Sequence, residues 1–401
     1  MKWLHFALLN VLRNKRRSGV TALIAAIGTA AILLAGGFAL STYEALAEAS
    51  ARARGHLIVG LSQHFTEDEE VALQFGLPDW VQLRQQLLAD PQVRQVLPAV
   101  EFSGLISNGD KSVIALASGV DPGAEFKIKG PFLQFTEGAA MIRGADGVLL
   151  GQGLARSLGA GPGAGLTLLA TTVDGVMNAV DVRVAGVVAT GATELDKRLL
   201  YADLDTSARL LASDKVSAIG VFLDRIEHTE AAAVRIAAAH PGLMVRTWRQ
   251  QDSYYEAVRN LYNRIFGALG AIIALIVLSV VTNSMSMSVV ERTRETGALR
   301  AIGTQPGQLV RTFAYEGLIL GVAGAALGCV IALAVSLGLY AFPLEMPPPP
   351  GRSVGYPLTV SIDLTLYAAV ALAVTALAGL TSGMVARKTV AKPIPEALAH
   401  I

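Results

Sequence analysis

VTALIAAIGTAAILLAGGFAL, residues Val20–Leu40, carries no charged side chain. A helix rises 1.5 Å per residue, so about 20 such residues cross a hydrocarbon layer of about 30 Å. Three further runs have the same apolar character: IFGALGAIIALIVLSVVT (Ile265–Thr282), Gly317–Phe342 and Leu364–Ala386. One such run could be a buried helix of a soluble protein, but four in one chain read as membrane spans. The first is too long for a secretory signal peptide and lacks a small-residue cleavage pattern. Composition agrees, with 16% charged residues over 401 positions against about 25% in soluble domains. A net charge of +1 supplies no basic field for nucleic acid, and the single Cys329 cannot form an internal disulfide.

Basic residues set the orientation. Lys2, Arg13, Lys15, Arg16 and Arg17 precede the first span; Arg292, Arg294, Arg300 and Arg311 lie between the second and third; Arg387, Lys388 and Lys392 follow the fourth. Residues 42–264 instead hold 20 basic and 26 acidic side chains. The expected layout is therefore one span, a large outer domain, then three spans, with both termini cytoplasmic. Residues 1–18 form an interfacial amphipathic elbow (Trp3, Leu4, Ala7, Leu8, Val11 and Leu12 on one face) suited to anionic lipids. Residues 19–54 form the first span and a stalk; 55–249 the outer domain; 250–290 a second stalk and span; 291–312 a cytoplasmic loop. A third span (313–342), an outer loop (343–363, stiffened by Pro347–Pro350), a fourth span (364–386) and a cytoplasmic tail (387–401) complete the chain. Glycines are frequent in the spans, and Gly324-x-x-x-Gly328 fits close helix packing in lipid.

The outer domain reads as mixed α/β. HLIVGLS (56–62) suits a strand, and Asp79 is placed to cap a helix ended by Asp90-Pro91. Strands over 101–107 and 111–120 flank Asn108-Gly109, a hairpin signal. Strand 216–223, helix 229–240 and strand 243–248 follow. The order β-α-β-β, then β-α-β, approximates a ferredoxin-like (porter-like) core with an inserted, mostly β subdomain over about 121–212. Tyr43 and Leu46 after the first span, and Tyr254, Val258 and Leu261 before the second, keep helical spacing. Both spans are thus expected to continue outward as stalk helices.

Catalytic patterns are missing. No Gly-x-x-x-x-Gly-Lys-[Ser/Thr] occurs, and Gly109-Asp110-Lys111-Ser112 sits in a hairpin without the upstream glycine. The six histidines lack zinc spacing, and His56 and His64 near Glu67–Glu70 read as a solvated acidic loop. No Gly-x-Ser-x-Gly elbow appears. Acids are nearly missing from the spans, apart from Glu316 at one edge and Asp363 at another, which argues against a proton-coupled transporter. The chain is expected to be non-catalytic, with no metal and no cofactor of its own.

The loop VVERTRETGALRAIGTQPGQLVRT (289–312) mixes both charge signs on a short helical stretch with Leu299 and Ile302 on an apolar side. It suits a soluble partner, and routine intrahelical pairing explains it equally well. ERTRETGALRAIGTQPGQLVRTFAYEGLILGVAGAALG resembles the signature of the FtsX-like permease family, membrane subunits of MacB-type (type VII) ABC transporters. The residues carrying the likeness are Glu291, Arg292, Thr293, Arg294, Glu295, Ala301, Ile302, Gly303 and Glu316. The start ALLNVLRNKRRSGVTAL is similar to the family's N-terminal elbow, and Ala391, Pro393, Pro395, Glu396, Ala397 and Leu398 to its tail. GVLLGQGLARSLGAGPGAGLTLL with VRVAGVVAT resembles its outer domain.

The resemblance implies an inner-membrane permease whose outer domain is periplasmic. Its partners would be a cytoplasmic ABC ATPase dimer binding ATP and Mg, a second copy or paralogous permease, membrane lipids, and a periplasmic adaptor or carrier. It also implies mechanotransmission: the ATPases move the loop at Glu291, Arg292, Thr293, Arg294, Glu295, Leu299, Arg300, Ala301, Ile302 and Gly303, and the stalks reshape the outer domain. WRQQDSYYEAVRNLYNRIF (248–266) looks like the lipoprotein-releasing permeases, although the strand pair near Asp174–Val182 is short for a long hook. Export or extraction of a lipophilic, lipoprotein or peptide-like cargo is the leading expectation. A signalling module that activates a cell-wall hydrolase is the alternative, disfavoured by the large insertion.

Overall fold

The computed structural model describes residues 2–13, 15–130, 133–251, 253–347 and 355–391. In chain order, α1 (Lys2–Arg13) and α2 (Lys15–Arg54) lead to β1 (Leu57–Gly60), α3 (Ser62–Thr66), α4 (Trp80–Leu88), β2 (Val93–Ser107), β3 (Ser112–Val120) and α5 (Pro122–Lys129). Then come β4 (Gln134–Gly138), β5 (Gly147–Gly151), α6 (Gln152–Leu158), β6 (Gly165–Thr171), β7 (Met177–Ala189), α7 (Thr193–Asp196), β8 (Leu199–Asp203) and α8 (Leu204–Leu211). β9 (Ala218–Leu223), α9 (Thr229–Ala239), β10 (Met244–Thr247), α10 (Trp248–Gln251), α11 (Ser253–Glu291), α12 (Thr293–Ala301) and α13 (Pro306–Ala341) follow. β11 (Glu345–Met346) and β12 (Tyr356–Pro357) precede α14 (Leu364–Val390). Two compact units result: Met1–Glu44, Val258–Glu345 and Pro357–Ile401 make the first, and Ala45–Ala257 with Met346–Tyr356 the second.

Four helices among the described residues are long and apolar enough to cross a membrane: Lys15–Arg54, Tyr255–Glu291, Pro306–Ala341 and Leu364–Lys388. Their apolar parts lie in the first unit. α13 packs against two of them through small residues. A Cβ on Gly324 would lie 2.6 Å from Ala25 Cβ, and one on Gly328 would lie 2.6 Å from the Ala26 carbonyl oxygen, both on α2. A Cβ on Gly317 would lie 2.6 Å from the Ala378 carbonyl on α14, where the Ser382 hydroxyl also donates to the Phe313 carbonyl at 2.5 Å. Lipid gives helices no hydrophobic reason to associate, so this close backbone approach provides the attraction.

α13 begins earlier than the sequence suggests. Pro306-Gly307 reads as a break with the apolar run starting at Gly317, yet the helix opens at Pro306. Proline at the first helical position sacrifices no hydrogen bond. Gln305 and Gln308 close a reciprocal capping box around it. Only residues 302–305 therefore separate α12 from α13.

In the second unit, β1-α4-β2 and β9-α9-β10 give strand order β10-β1-β9-β2 with every adjacent pair antiparallel. That is the ferredoxin-like arrangement. β2 runs for 15 residues and outgrows this sheet. Its far end pairs with β3 from Ala99 to Ser107 and with β6 from Leu105 to Ser107. β3 then pairs with β8, β8 with β5, β5 with β7, and β7 with β6. The pairings close a six-strand ring. The insertion therefore includes β3, earlier than the expected start near residue 121, because β3 bonds to the far end of β2 and to β8 and to none of β1, β9 and β10. One continuous core fills both parts, from Leu57 and Val221 to Phe102, Leu150, Leu168 and Leu200.

The Asn108-Gly109 hairpin forms, with Ser107 opposite Ser112 and Gly109 at φ 96°. Asp79 precedes α4 but does not cap it: its φ of 49° departs from the extended backbone a capping side chain needs. Asp203 performs that role at α8, accepting from the Thr206 amide at 2.6 Å.

Candidate coupling site

The expected loop residues lie on α11, α12 and the turn after them. Glu291 ends α11, and Arg292 occupies the N-cap position of α12. Thr293 is buried and its hydroxyl donates to the Val289 carbonyl at 3.2 Å, stitching α12 to α11. Arg294 and Ala301 are exposed, and Leu299 and Arg300 are half-buried. Ile302 is 80% exposed, and Gly303 with φ 101° turns the chain beside it. The far tip of α12 thus presents an apolar side chain, whereas Arg292, Thr293 and Thr296 at its base are buried.

Arg292 is the centre of that buried base. Its Nη1 donates to Glu316 Oε1 at 2.9 Å and its Nε to Glu295 Oε2 at 3.0 Å. The guanidinium also lies 5.3 Å from the Phe313 ring centroid. The Arg292 and Glu316 side chains are only 10% and 5% exposed. From α1, Asn10 Nδ2 donates to the same Glu316 oxygen at 2.8 Å, across 306 residues of chain. α1, the junction of α11 with α12, and α13 therefore meet at one carboxylate. Burial pulls the Arg292 guanidinium down, but the charges of Glu316 and Glu295 outweigh it and hold the group above its ordinary value. For Glu295, burial acts upward, and Arg292 with Arg13 wins, so its carboxyl lies below the usual range.

Outer contacts frame this centre. Arg13 reaches Glu295 at 3.1 Å, and Arg17 reaches Glu291 at 2.7 Å while also donating to the Ser284 carbonyl. These pairs are more exposed and of the kind that contributes about 0–1 kcal/mol. A cavity of about 20 Å³ adjoins Asn10, Arg292 and Glu316 and is lined also by Ser18, Ser284 and Ser288. It is polar and large enough for one water.

Sequence reasoning singles out Glu316 as an edge acid but misses its partner Asn10. The available signal is a lone amide on the stripe Ala7, Asn10, Val11. On α1 the expected shared face splits: Ala7 is buried and Val11 half-buried, whereas Leu4, Leu8 and Leu12 are exposed. The Trp3 side chain, Pro348–Pro350 and the tail residues Pro393, Pro395, Glu396, Ala397 and Leu398 lie outside the described residues.

Of the stalk residues, Tyr43 stacks on Tyr262 at 6.5 Å and its hydroxyl donates to Asn263 Oδ1 at 2.7 Å, within the first unit. Leu46 packs in the second unit beside Ala51, Trp248 and Tyr255. Val258 is half-buried, Leu261 is exposed, and the Tyr254 side chain lies outside the described residues. α2 is unbroken over 40 residues and α11 over 39. Among the described residues no group of three or more His, Cys, Asp or Glu side chains is placed to hold a metal ion.

The chain matches the profile of the MacB-like periplasmic core domain over residues 18–239 and that of the FtsX-like permease C-terminal region over 267–394. It is 23% identical to the lipoprotein-releasing system transmembrane protein LolC of Xylella fastidiosa, covering 80% of this chain and 79% of that protein. It is 24% identical to the corresponding LolE of Haemophilus influenzae over 82% of this chain and 81% of that one. The macrolide export ATP-binding/permease protein MacB of Salmonella paratyphi A is 31% identical over 28% of this chain and 17% of its own length.

Proposed function

The chain belongs to the FtsX-like permeases with a MacB-like periplasmic core, and from that premise we propose that it converts ATP hydrolysis by a partner ATPase into motion of its outer domain. The observation that carries the reading is the two-faced α12. Its tip offers Ile302, 80% exposed, to a soluble partner. Its base is anchored through Arg292 to a buried carboxylate on a membrane span. A push on the tip therefore reaches the spans. A single exposed isoleucine is ordinary on a protein surface; what distinguishes Ile302 is its place at the end of the helix whose other end Arg292 ties to Glu316.

In this reading both termini and α12 face the cytoplasm and the second unit faces the periplasm. The chain has no phosphate-binding loop of its own, so ATP and Mg are handled by the partner. A second copy or a paralogous permease completes the membrane assembly, and a periplasmic adaptor or carrier receives the cargo. The relatives named for lipoprotein release align along most of the chain, which favours a lipophilic or lipoprotein cargo. The ring built on β2 and β3 gives the outer domain a substantial second part, which supports transport over hydrolase signalling.

The test is copurification from native membranes. A Walker-motif protein should accompany the wild-type chain, and Ile302→Asp should release it without changing thermal stability. Retention of the ATPase by that variant, or labelling that places residues 42–264 in the cytosol, would refute the reading.

A further inference from the structure

Glu316 is an acid within a helix long enough to span a membrane, the kind of residue lipid normally excludes. It is kept by two donors on different elements, Arg292 and Asn10, both bonded to Oε1. The loop from Ile302 to Gln305 is only a few residues long and contains Gly303 at positive φ. Such a loop alone leaves α12 free to pivot against α13. We propose that Glu316 is a positioning residue for energy coupling: it locks the first turn of α12 to α13 and, through Asn10, to α1, so that the three helices shift as one body.

The chemistry favours a lock over simple stabilisation. A buried ion pair is seldom more stabilising than apolar residues of the same volume, because desolvation offsets the attraction. What such a pair adds is direction. Arg292 donates two bonds at fixed angles to Glu316 and Glu295, lies against Phe313, and cannot slide along a carboxylate as a leucine slides along a leucine. The adjoining polar cavity, lined by both Glu316 and Arg292, has room for one water beside the pair. α1 becomes part of the mechanism as well as an anchor. Its Asn10 supplies one wall of the lock, and Arg13 adds a second tie to Glu295.

This inference rests on the permease reading for its consequence, but its geometry can be tested without it. The full chain in lipid nanodiscs would carry nitroxide labels at Leu12 on α1 and Ala298 on α12, both exposed. The wild type should give a narrow distance distribution, and Glu316→Gln and Asn10→Ala should broaden it. An unchanged distribution in Glu316→Gln overturns the lock whatever the protein transports. The second measurement uses the chain bound to its copurified ATPase, with labels at Ala298 and Tyr340, the latter 86% exposed near the other end of α13. ATP with vanadate should shift that distance in the wild type. The paired variant Arg292→Met with Glu316→Leu should keep the wild-type melting temperature and lose the shift. A purely structural pair predicts a different outcome: the apolar substitution would retain the shift as well as the melting temperature. If no ATPase copurifies, the permease reading fails, and the Leu12–Ala298 distance still decides the lock.

Discussion

Replacing Gly328 by alanine should destabilise the membrane unit, although alanine is the better helix former. In an ordinary helix interior the change gains about 1 kcal/mol. At Gly328 the new Cβ would meet the Ala26 carbonyl oxygen at 2.6 Å, Thr29 Cβ at 2.6 Å and Thr29 Cγ2 at 2.9 Å. Two of these atoms belong to or adjoin the α2 backbone and cannot rotate away. Restoring a carbon contact of about 3.5 Å requires α2 and α13 to part by roughly 1 Å. Parting also loosens the contacts at Gly324 one turn away, where the Ala22 carbonyl oxygen lies 3.0 Å from the place a Cβ would take. Overpacking of this kind costs about 1–3 kcal/mol, so the net effect is a loss of up to about 2 kcal/mol, or up to about thirtyfold in the folding equilibrium. Gly338, on the same helix with nothing within 4 Å of its Cβ position, is the control: Gly338→Ala should be neutral or slightly stabilising. Reversible unfolding in mixed micelles, titrated with a denaturing detergent, measures both. Equal effects of the two substitutions, or a more stable Gly328→Ala, would refute close α2–α13 packing.

Arg292→Ala should cost about 3–5 kcal/mol in the same assay because it strands a buried carboxylate, whereas Arg13→Ala, at an exposed pair, should cost less than about 1 kcal/mol. Trp248→Ala should cost about 3–5 kcal/mol, since Trp248 is 4% exposed and meets Tyr255 edge-on at 4.8 Å; an unchanged melting temperature would contradict that packing. His56 is held below its ordinary value by burial, against the pull of Asp224 and Glu227, and its Nδ1 accepts the Leu223 amide at 3.1 Å. The neutral ring is thus the folded form, and the unfolded chain binds the extra proton. Its contribution is complete above the ordinary value near 6.5 and is lost as pH falls from there through the depressed folded value. His56→Gln should therefore flatten the loss of thermal stability between about pH 7 and pH 5, read by intrinsic fluorescence.

The spans are legible in the sequence because charge-free runs have no other stable environment, and the ferredoxin-like strands because short apolar runs such as β1 and β9 are local signals. Helix ends are harder. Hydropathy marks the part of α13 that lipid covers, from Gly317, while the helix itself starts at Pro306 on backbone and capping chemistry. The ring is illegible for a different reason: β6 meets β2 some 60 residues earlier, and nothing in either strand names the partner. Asp79 shows the converse error, a good capping residue whose backbone takes the wrong conformation for capping. At the coupling site the charged residues stand out in the loop, but the Asn10 contact joins positions that only tertiary packing brings together.

α13 makes three kinds of contact in succession along its length, and their order bears on how motion would travel. Glu316 holds Arg292 and Asn10 near one end; Gly317 and Gly321 next admit α14; Gly324 and Gly328 then admit α2. The ties change from ionic to close-packed within a few turns, and each is stiff in its own way: directional bonds resist rotation, and interlocked backbones resist separation. α11 differs, with 11% of its most apolar window buried against 33% for α13. Its Leu261, Ile265, Leu269, Ile272 and Ile276 are exposed, and Gly270 has nothing within 4 Å of its Cβ position. α11 is held along one line, through Val277, Val281 and Met285, so fewer packed side chains resist its displacement than resist that of α13. In the proposed coupling reading, displacement entering at α12 would therefore have two routes of unequal stiffness, a rigid one through Glu316 into α13 and a compliant one back along α11, and the difference between them is what would turn a push into a change of shape.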